Sequence, residues 1–163
     1  MPSLTPLHVP SAVGRAALVE LDRVPWSRLA HAYGTGPRGD DLDQDVAASL
    51  RRLGDDDDEA IDEAACALAA NILHQGTIYQ GTAYAVPFLV AFAAGVDLTR
   101  DHALLFRGLL AGIAIASSYN APRGSHSGSW GRGVAALTRE AFRASAAHLR
   151  TMARDAPSLA PVA

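Results

Sequence analysis

The 163-residue sequence predicts an all-α protein, and three observations lead to that fold class. Alanine contributes 33 residues and aromatic residues only 6%, a composition typical of helix-rich domains. Apolar residues recur at spacings of three and four through most of the chain. Residue types that begin or end helices separate these segments. The length is that of one domain, and such a domain can bury a core without metal ions or disulfides.

Three regions are predicted along the chain. Residues 1–23 are expected to form an irregular N-terminal segment that contains a short helix over 11–21. Residues 24–155 are expected to form the helical domain, and residues 156–163 a C-terminal tail that contains proline.

The helical domain is predicted to begin with two short helices. The first spans 24–34, because Pro25 suits a first helical turn and Gly34 a helix end. Its inner face would consist of Trp26, Leu29 and Tyr33. The second helix spans 42–53, and its apolar face would consist of Val46, Leu50 and Leu53.

A third helix is predicted to follow the acidic run 55–59. Negative charges in a first turn stabilise a helix through its dipole, which explains the run without a bound cation. Cys66 lies in this helix, and we expect its thiol to be buried and structural. The core-facing stripe would consist of Ile61, Ala65, Leu68 and Ile72.

A tight turn separates the third helix from the fourth. Gly76 is expected to end the third helix, and Thr77 with Gln80 predicts a capping box that starts the fourth. Pro87 is expected to kink or divide that fourth helix. A fifth helix is predicted over 99–118, capped by its threonine, and its apolar character indicates the central helix.

The last predicted elements are a loop over 120–133 and a sixth helix over 134–154. The helix starts at Asp56 and Thr99 lie 43 residues apart, within the period of about 40–47 residues of HEAT and armadillo repeats. This spacing predicts a short HEAT- or armadillo-like α-solenoid of about three antiparallel helix pairs. An irregular helical bundle is the alternative.

Two motifs carry a resemblance to a known family. The first is Val24-Pro25-Trp26 with His31-Ala32-Tyr33-Gly34, and the second is His74-Gln75-Gly76-Thr77-x-Tyr79 leading into Ala83-Tyr84-Ala85-Val86-Pro87-Phe88-Leu89. Over about residues 21–110 the chain resembles bacterial HEAT-repeat-containing proteins common in actinobacteria, although Gly81 stands where that family usually has alanine. The resemblance implies an α-solenoid fold and little specific chemistry.

Motifs for catalysis, cofactors or metals are weak. The six histidines are far apart and no pair has metal-ligand spacing, so no metal or cofactor is expected. One exception is the turn at His74, which His31 would approach if the helical hairpins stack. Its polar side chains either cap the two helix ends, or form a pocket where His74 acts as an acid or base oriented by Tyr79.

Charge is strongly polarised along the chain. Residues 40–63 contain eleven acidic and two basic residues, whereas residues 99–163 contain eight basic and three acidic ones. Five arginines of the last helix fall on one arc at about 100° per residue. Three roles are open for these arginines. They form a solvated face or pair with the acidic segment, they bind an acidic protein partner, or they contact nucleic acid. These arginines are Arg132, Arg139, Arg143, Arg150 and Arg154.

The function predicted from these features is a non-enzymatic protein-interaction module, of an adaptor or immunity type, that binds a protein through a charged or concave face. The alternative is a small helical enzyme or ligand-binding protein that uses His31, His74 and Tyr79. The net charge of −3 argues against nucleic acid as a partner, and a homo-oligomer is compatible with the sequence. A single cysteine, no signal-peptide pattern and apolar runs shorter than about 18 residues predict a cytoplasmic protein without a membrane partner.

Overall fold

The described part of the chain is mostly helical, which confirms the all-α prediction. A computed structural model describes residues 6–36, 45–116 and 128–154, with the side chains of 128–132 excepted. The α-helices of this part are α1 (Val46–Arg52), α2 (Asp58–Ile72), α3 (Gln80–Gly95), α4 (Arg100–Ile115), α5 (Gly128–Ala144) and α6 (Ala146–Arg154). It also contains strands β1 (Ala30–His31) and β2 (Gly34–Thr35), and 3₁₀ helices at Gly14–Arg23, Trp26–Arg28 and His74–Gly76.

Helix α3 lies at the centre of the molecule. Every residue from Gln80 to Phe92 is buried, and α3 packs against the first 3₁₀ helix, α1, α4, α5 and α6. The helix runs without interruption through both Gly81 and Pro87. The prediction that the helix beginning after Thr99 is the central one was therefore wrong.

Helix α4 is amphipathic rather than central. The hydroxyl of Thr99 accepts a hydrogen bond from the backbone N–H of His102 at 3.2 Å, which confirms the predicted cap. The helix ends at Ile115 and not at 118, a position outside the described residues. One face buries Phe106, whereas Ile115 on the opposite face is 87% exposed. Sequence hydrophobicity overestimated burial here because this apolar outer face has no described neighbour.

The short helix predicted over 11–21 forms as a 3₁₀ helix over Gly14–Arg23. It packs on α3 and buries Leu21, so it contributes to the same core. Gly14 has a φ of +67°, and a Cβ there would lie 2.7 Å from the carbonyl oxygen of Gly95. Only glycine allows this close approach between the N-terminal segment and the end of α3.

The prediction of a helix over 24–34 was wrong. A 3₁₀ turn at Trp26–Arg28 leads instead into a hairpin in which Ala30 pairs with Thr35 and His31 with Gly34. Tertiary contacts explain the difference, because the N–H of Ala32 in the hairpin loop donates to the carbonyl of Asn71 in α2 at 2.9 Å. A pattern read along the sequence does not include this partner.

Helices α1 and α2 follow their predicted faces. The positions predicted to face inward, Val46, Leu50 and Leu53 in the first segment and Ile61, Ala65, Leu68 and Ile72 in the second, are all buried. Asp57 caps α2 by accepting from the N–H of Glu59 at 3.2 Å, so the acidic run does begin a helix. Residues 42–44 of the second predicted helix lie outside the described residues.

Cys66 is exposed, so the prediction of a buried thiol was wrong. The residue follows Ala65 in a helix of mostly apolar residues, which suggested burial. At 100° per residue, however, Cys66 lies about 140° from Ile61, on the outer side of α2.

The turn between α2 and α3 is built differently from the predicted capping box. Helix α2 ends at Ile72, a 3₁₀ turn ends at Gly76, and α3 begins with Tyr79 in the N-cap position. The Thr82 hydroxyl accepts from the N–H of Tyr79 at 2.8 Å and donates to the carbonyl of Ile72 at 2.6 Å. Thr82 thus joins the two helix ends, and the predicted N-cap, Thr77, lies two residues too early.

Helices α5 and α6 replace the single helix predicted over 134–154. Helix α5 starts at Gly128, so residues 128–133 are helical rather than loop, while 120–127 lie outside the described residues. The two helices break at Ser145, which is fully buried. Backbone hydrogen bonds still cross the break, from Ser145 to Ala141 and from Leu149 to Ser145, both at 3.0 Å.

Candidate functional site

Four arginines project from α5 and α6, and we call them the arginine face: Arg139, Arg143, Arg150 and Arg154. All four are exposed. Their spacings of four, seven and four residues place them on one side of the helix pair. Arg139 and Arg143 lie about one turn apart on α5, and Arg150 and Arg154 lie about one turn apart on α6. Arg132, the fifth arginine of the predicted stripe, lies in α5, but its side chain is outside the described residues.

The opposite side of the helix pair faces the core. Val134, Thr138, Ala141 and Ser145 are buried there, at the spacings of one helical stripe. Both helices pack against α3 through this side. The core thereby fixes the direction in which the arginine face points.

Three carboxylates of the acidic segment contact side chains outside α5 and α6, which argues against one explanation of the arginine face. The contacts are the ion pairs Arg52–Glu63 at 2.6 Å and Arg15–Asp56 at 2.8 Å, and the approach of His102 Nε2 to Asp62 Oδ1 at 3.0 Å. The hydrogen bond and the charge of Glu63 raise the pKa of Arg52. None of these pairs involves α5 or α6.

Within the described residues no carboxylate forms an ion pair with the arginine face. The one recorded polar contact of its guanidinium groups is from Arg154 Nε to the carbonyl of Arg150, at 3.4 Å. The four described side chains of the face are therefore exposed, and no described carboxylate of the acidic segment neutralises them.

A second cluster gathers the side chains of the alternative site around the turn at His74. The ring of Tyr33 lies between two histidines, with centroid distances of 6.4 Å to His31 and 5.6 Å to His74, and both contacts are edge-on. Burial, together with the nearby Tyr33 phenol, raises the pKa of Tyr79. The hairpin that replaced the predicted first helix delivers His31 and Tyr33 to this place.

Hydrogen bonds of His31 favour a structural role for it. Its Nε2 lies 2.8 Å from the carbonyl oxygen of Gly36, and its Nδ1 accepts from the N–H of Tyr33 at 3.4 Å. A carbonyl only accepts, so the proton resides on Nε2 and both ring nitrogens serve the hairpin. The half-buried His74 is then the member of this cluster best suited to acid–base chemistry.

The backbone at the same turn is strained. Gln75 has a φ of 50°, the left-handed region, and Gly76 follows with a φ of 75°. Non-glycine residues adopt such angles at a cost of about 1–3 kcal/mol, and they concentrate at functional sites and tight turns. These two left-handed residues make the sharp reversal of the chain between α2 and α3.

A carboxylate near the N-terminus was missed by the sequence reasoning. The Oε1 atom of Glu20 accepts from the hydroxyl and the N–H of Ser11, at 2.8 and 3.0 Å, and its Oε2 atom lies 2.7 Å from Nε2 of His8. The hydroxyl bond from Ser11 is the main reason that the pKa of Glu20 falls to about 2. The partners lie nine and twelve residues away in an irregular segment, where no periodic pattern could reveal them.

Two general properties of the described residues bear on the site. No three histidine, cysteine or acidic side chains among them lie close enough together to hold a metal ion. None of the helices in the described ranges is both long and apolar enough to cross a membrane.

No protein-family model, curated protein or solved structure matches this chain. The resemblance to HEAT-repeat-containing proteins therefore stays a prediction.

Proposed function

We propose that the protein is a non-enzymatic interaction module that binds an acidic surface of a protein partner through its arginine face. The observation that carries the proposal is the charge separation within the fold. Four exposed arginines point away from α3, while the described arginine pairs of acidic residues 55–63 involve Arg15 and Arg52. Arginine is enriched at interfaces, and an unneutralised field of one sign accelerates association with an oppositely charged partner.

A protein is a better partner for this face than nucleic acid. The whole chain carries a net charge of −3, and Glu140 lies on α5 between two of the arginines. Phosphate backbones bind extended positive surfaces and are repelled by acidic ones. An acidic helix or loop that contacts both α5 and α6 matches the face. An adaptor and an immunity-type protein both fit this description, and the unpaired cysteine is compatible with action in the cytoplasm.

For the arrangement of helices, we favour the irregular bundle over the HEAT-like solenoid. In a solenoid each repeat contacts only its neighbours. Helix α3 instead contacts elements from the N-terminal 3₁₀ helix to α6. The interaction surface in this proposal is thus the outside of a bundle, not a concave groove.

The test is affinity capture from the lysate of the native host, with the wild type compared with Arg139→Glu/Arg143→Glu. Arg28→Glu is the positional control, because Arg28 is exposed on the 3₁₀ turn before the hairpin; it reverses one charge where the double variant reverses two. A protein retained by the wild type and by Arg28→Glu, but not by the double variant, supports the proposal. Retention of nucleic acid alone, or equal retention of the same protein by all three forms, contradicts it.

The second candidate is a ligand-binding or acid–base site at His74, favoured by the proximity of Tyr33 and by the strained Gln75. A small molecule that copurifies with the wild type but not with a folded His74→Ala variant would support it. In that case the arginine face would be a solvated surface, and reversing its charges would leave ligand retention unchanged.

Self-association is a further possibility for this protein, and it would use a different surface. The exposed side of α4 carries Leu104, Leu105 and Ile115. If the chain forms a homo-oligomer, Leu104→Lys is expected to convert it to a monomer in a molar-mass measurement by light scattering. An unchanged oligomer would place the contact elsewhere.

A further inference from the structure

A cavity opens at the end of the molecule where α3 leads into α4. Its volume is about 430 Å³, within the range of about 300–1,000 Å³ that small-molecule sites occupy. Residues from the end of α3, the α3–α4 connection, α4 and α6 line it. It involves neither the arginine face nor the cluster around His74.

About half of the surface that lines the cavity is apolar. Phe106 is fully buried beneath it and packs against Phe92, with ring centroids 5.4 Å apart. Met152 contributes a flexible thioether from α6, and Leu98 lines the connection. Such a lining accepts an aliphatic or aromatic body, and methionine adapts its shape to different ones.

Two arginines of α4 also line the cavity. Arg100 and Arg107 are seven residues apart, which places them on one side of the helix about 10.5 Å apart along its axis. The small side chain of Ala103 lies between them and leaves the space open. Asp97 is the acidic residue of the lining, so the cavity carries a net charge of +1.

Arg107 is the unusual member of this set. Its side chain is half-buried, yet it forms no ion pair with any residue in 6–36, 45–116 or 128–154. Among the described residues this half-buried charge has no ion-pair partner, and a bound anion would neutralise it. The combination of this guanidinium with the apolar side chains of Leu98 and Met152 defines the ligand chemistry.

We propose that this cavity binds a small amphiphilic carboxylate, with the carboxylate on Arg107 and the apolar body against Leu98 and Met152. One negative charge neutralises the net charge of the lining, and Asp97 repels a ligand with additional negative charges. The site is independent of the interaction proposed for the arginine face.

Octanoate is the probe that tests this site, by calorimetric titration of the full chain. For a ligand of this size we expect a dissociation constant on the order of 1 mM or lower. Octan-1-ol has the same body without the charge, and acetate has the charge without the body. Both should bind at least about tenfold more weakly. No binding of octanoate at about ten times that concentration overturns the proposal, as does equal binding of acetate.

Substitutions test whether octanoate binds in this cavity. Arg107→Gln should weaken octanoate binding about tenfold or more, because it removes a charge-assisted hydrogen bond. Arg139→Gln, on the arginine face, should change it less than about twofold. If Arg107→Gln does not fold, Ala103→Leu fills the cavity without altering any charge and should abolish binding. Unchanged affinity in the folded Arg107→Gln variant, or in Ala103→Leu, would contradict the site.

Discussion

Replacing Thr82 by valine tests the account of how the two central helices are joined. The side chain is fully buried, and its hydroxyl makes two hydrogen bonds, to the N–H of Tyr79 and to the carbonyl of Ile72. Valine keeps the volume but leaves both backbone groups without this partner. Each buried group left unsatisfied costs about 1–3 kcal/mol, so we expect Thr82→Val to lower the free energy of unfolding by about 2–4 kcal/mol.

Thr138→Val is the matched control for this substitution. Thr138 is also buried, but its hydroxyl donates to the carbonyl of Val134 within its own helix. That carbonyl keeps its helical hydrogen bond, so the control should change stability by less than about 1 kcal/mol.

The assay is urea unfolding at pH 7, followed by circular dichroism at 222 nm. A loss of about 3 kcal/mol in a chain of this length corresponds to a melting temperature lower by about 6–12 °C. The reasoning is refuted if Thr82→Val unfolds within about 0.5 kcal/mol of the wild type, or if Thr138→Val is equally destabilised.

Three further predictions follow from local geometry. The pKa of Glu20 is lower in the folded chain, about 2 against an ordinary value of 4.5, so its stabilisation is present above pH 4.5 and is lost as the pH falls towards 2. Glu20→Gln should therefore be less stable than the wild type by about 1–3 kcal/mol at pH 6. The difference in the free energy of unfolding should be smaller in urea titrations at pH 3. A difference that does not change with pH would show that ionisation of Glu20 does not cause it. Gly14→Ala should destabilise the fold by about 2 kcal/mol, because Gly14 has a positive φ and lies against Gly95. Gly108 in α4 has open space around it, so Gly108→Ala should stabilise the fold by up to about 1 kcal/mol. Thermal melts in which both variants shift the melting temperature in the same direction would contradict this. Cys66 is exposed, so its thiol should react with a maleimide in the native protein almost as fast as in urea. Strong protection from the maleimide in the folded state would show that the thiol is buried.

Periodicity and capping residues predicted the regular helices well. The buried stripe of α2 and the cap at Thr99 follow from local sequence alone, since a helix presents residues three and four apart on one face and needs its first N–H groups satisfied. The break at Ser145 could not be predicted in this way, because a serine within a helical pattern carries no strong stop signal.

Elements held by distant partners were predicted wrongly. The hairpin at Ala30–Thr35 depends on Asn71, about forty residues away, and on Gln80, whose side chain accepts from the N–H of Ala30 at 3.3 Å. That same contact uses the residue predicted to complete a capping box with Thr77. Local spacing therefore indicated a cap where the fold uses the side chain for tertiary contact.

For the candidate sites, too, sequence predicted what depends on local spacing and missed what depends on distant partners. Sequence spacing could place the arginines on one face because they belong to consecutive helical turns. It could not show that the acidic segment pairs with Arg15, Arg52 and His102, since those residues come from three separate elements. The cavity beside Arg107 was missed for the same reason, because α6 closes one side of it.

The most direct test of the proposed function is the affinity of the captured partner for two single variants, measured at one salt concentration. Arg143→Glu and Arg28→Glu change the net charge equally, so only position distinguishes them. If the arginine face binds the partner, Arg143→Glu should raise the dissociation constant about tenfold or more while Arg28→Glu changes it less than about twofold. Equal effects of the two variants would show that net charge, and not this face, determines binding.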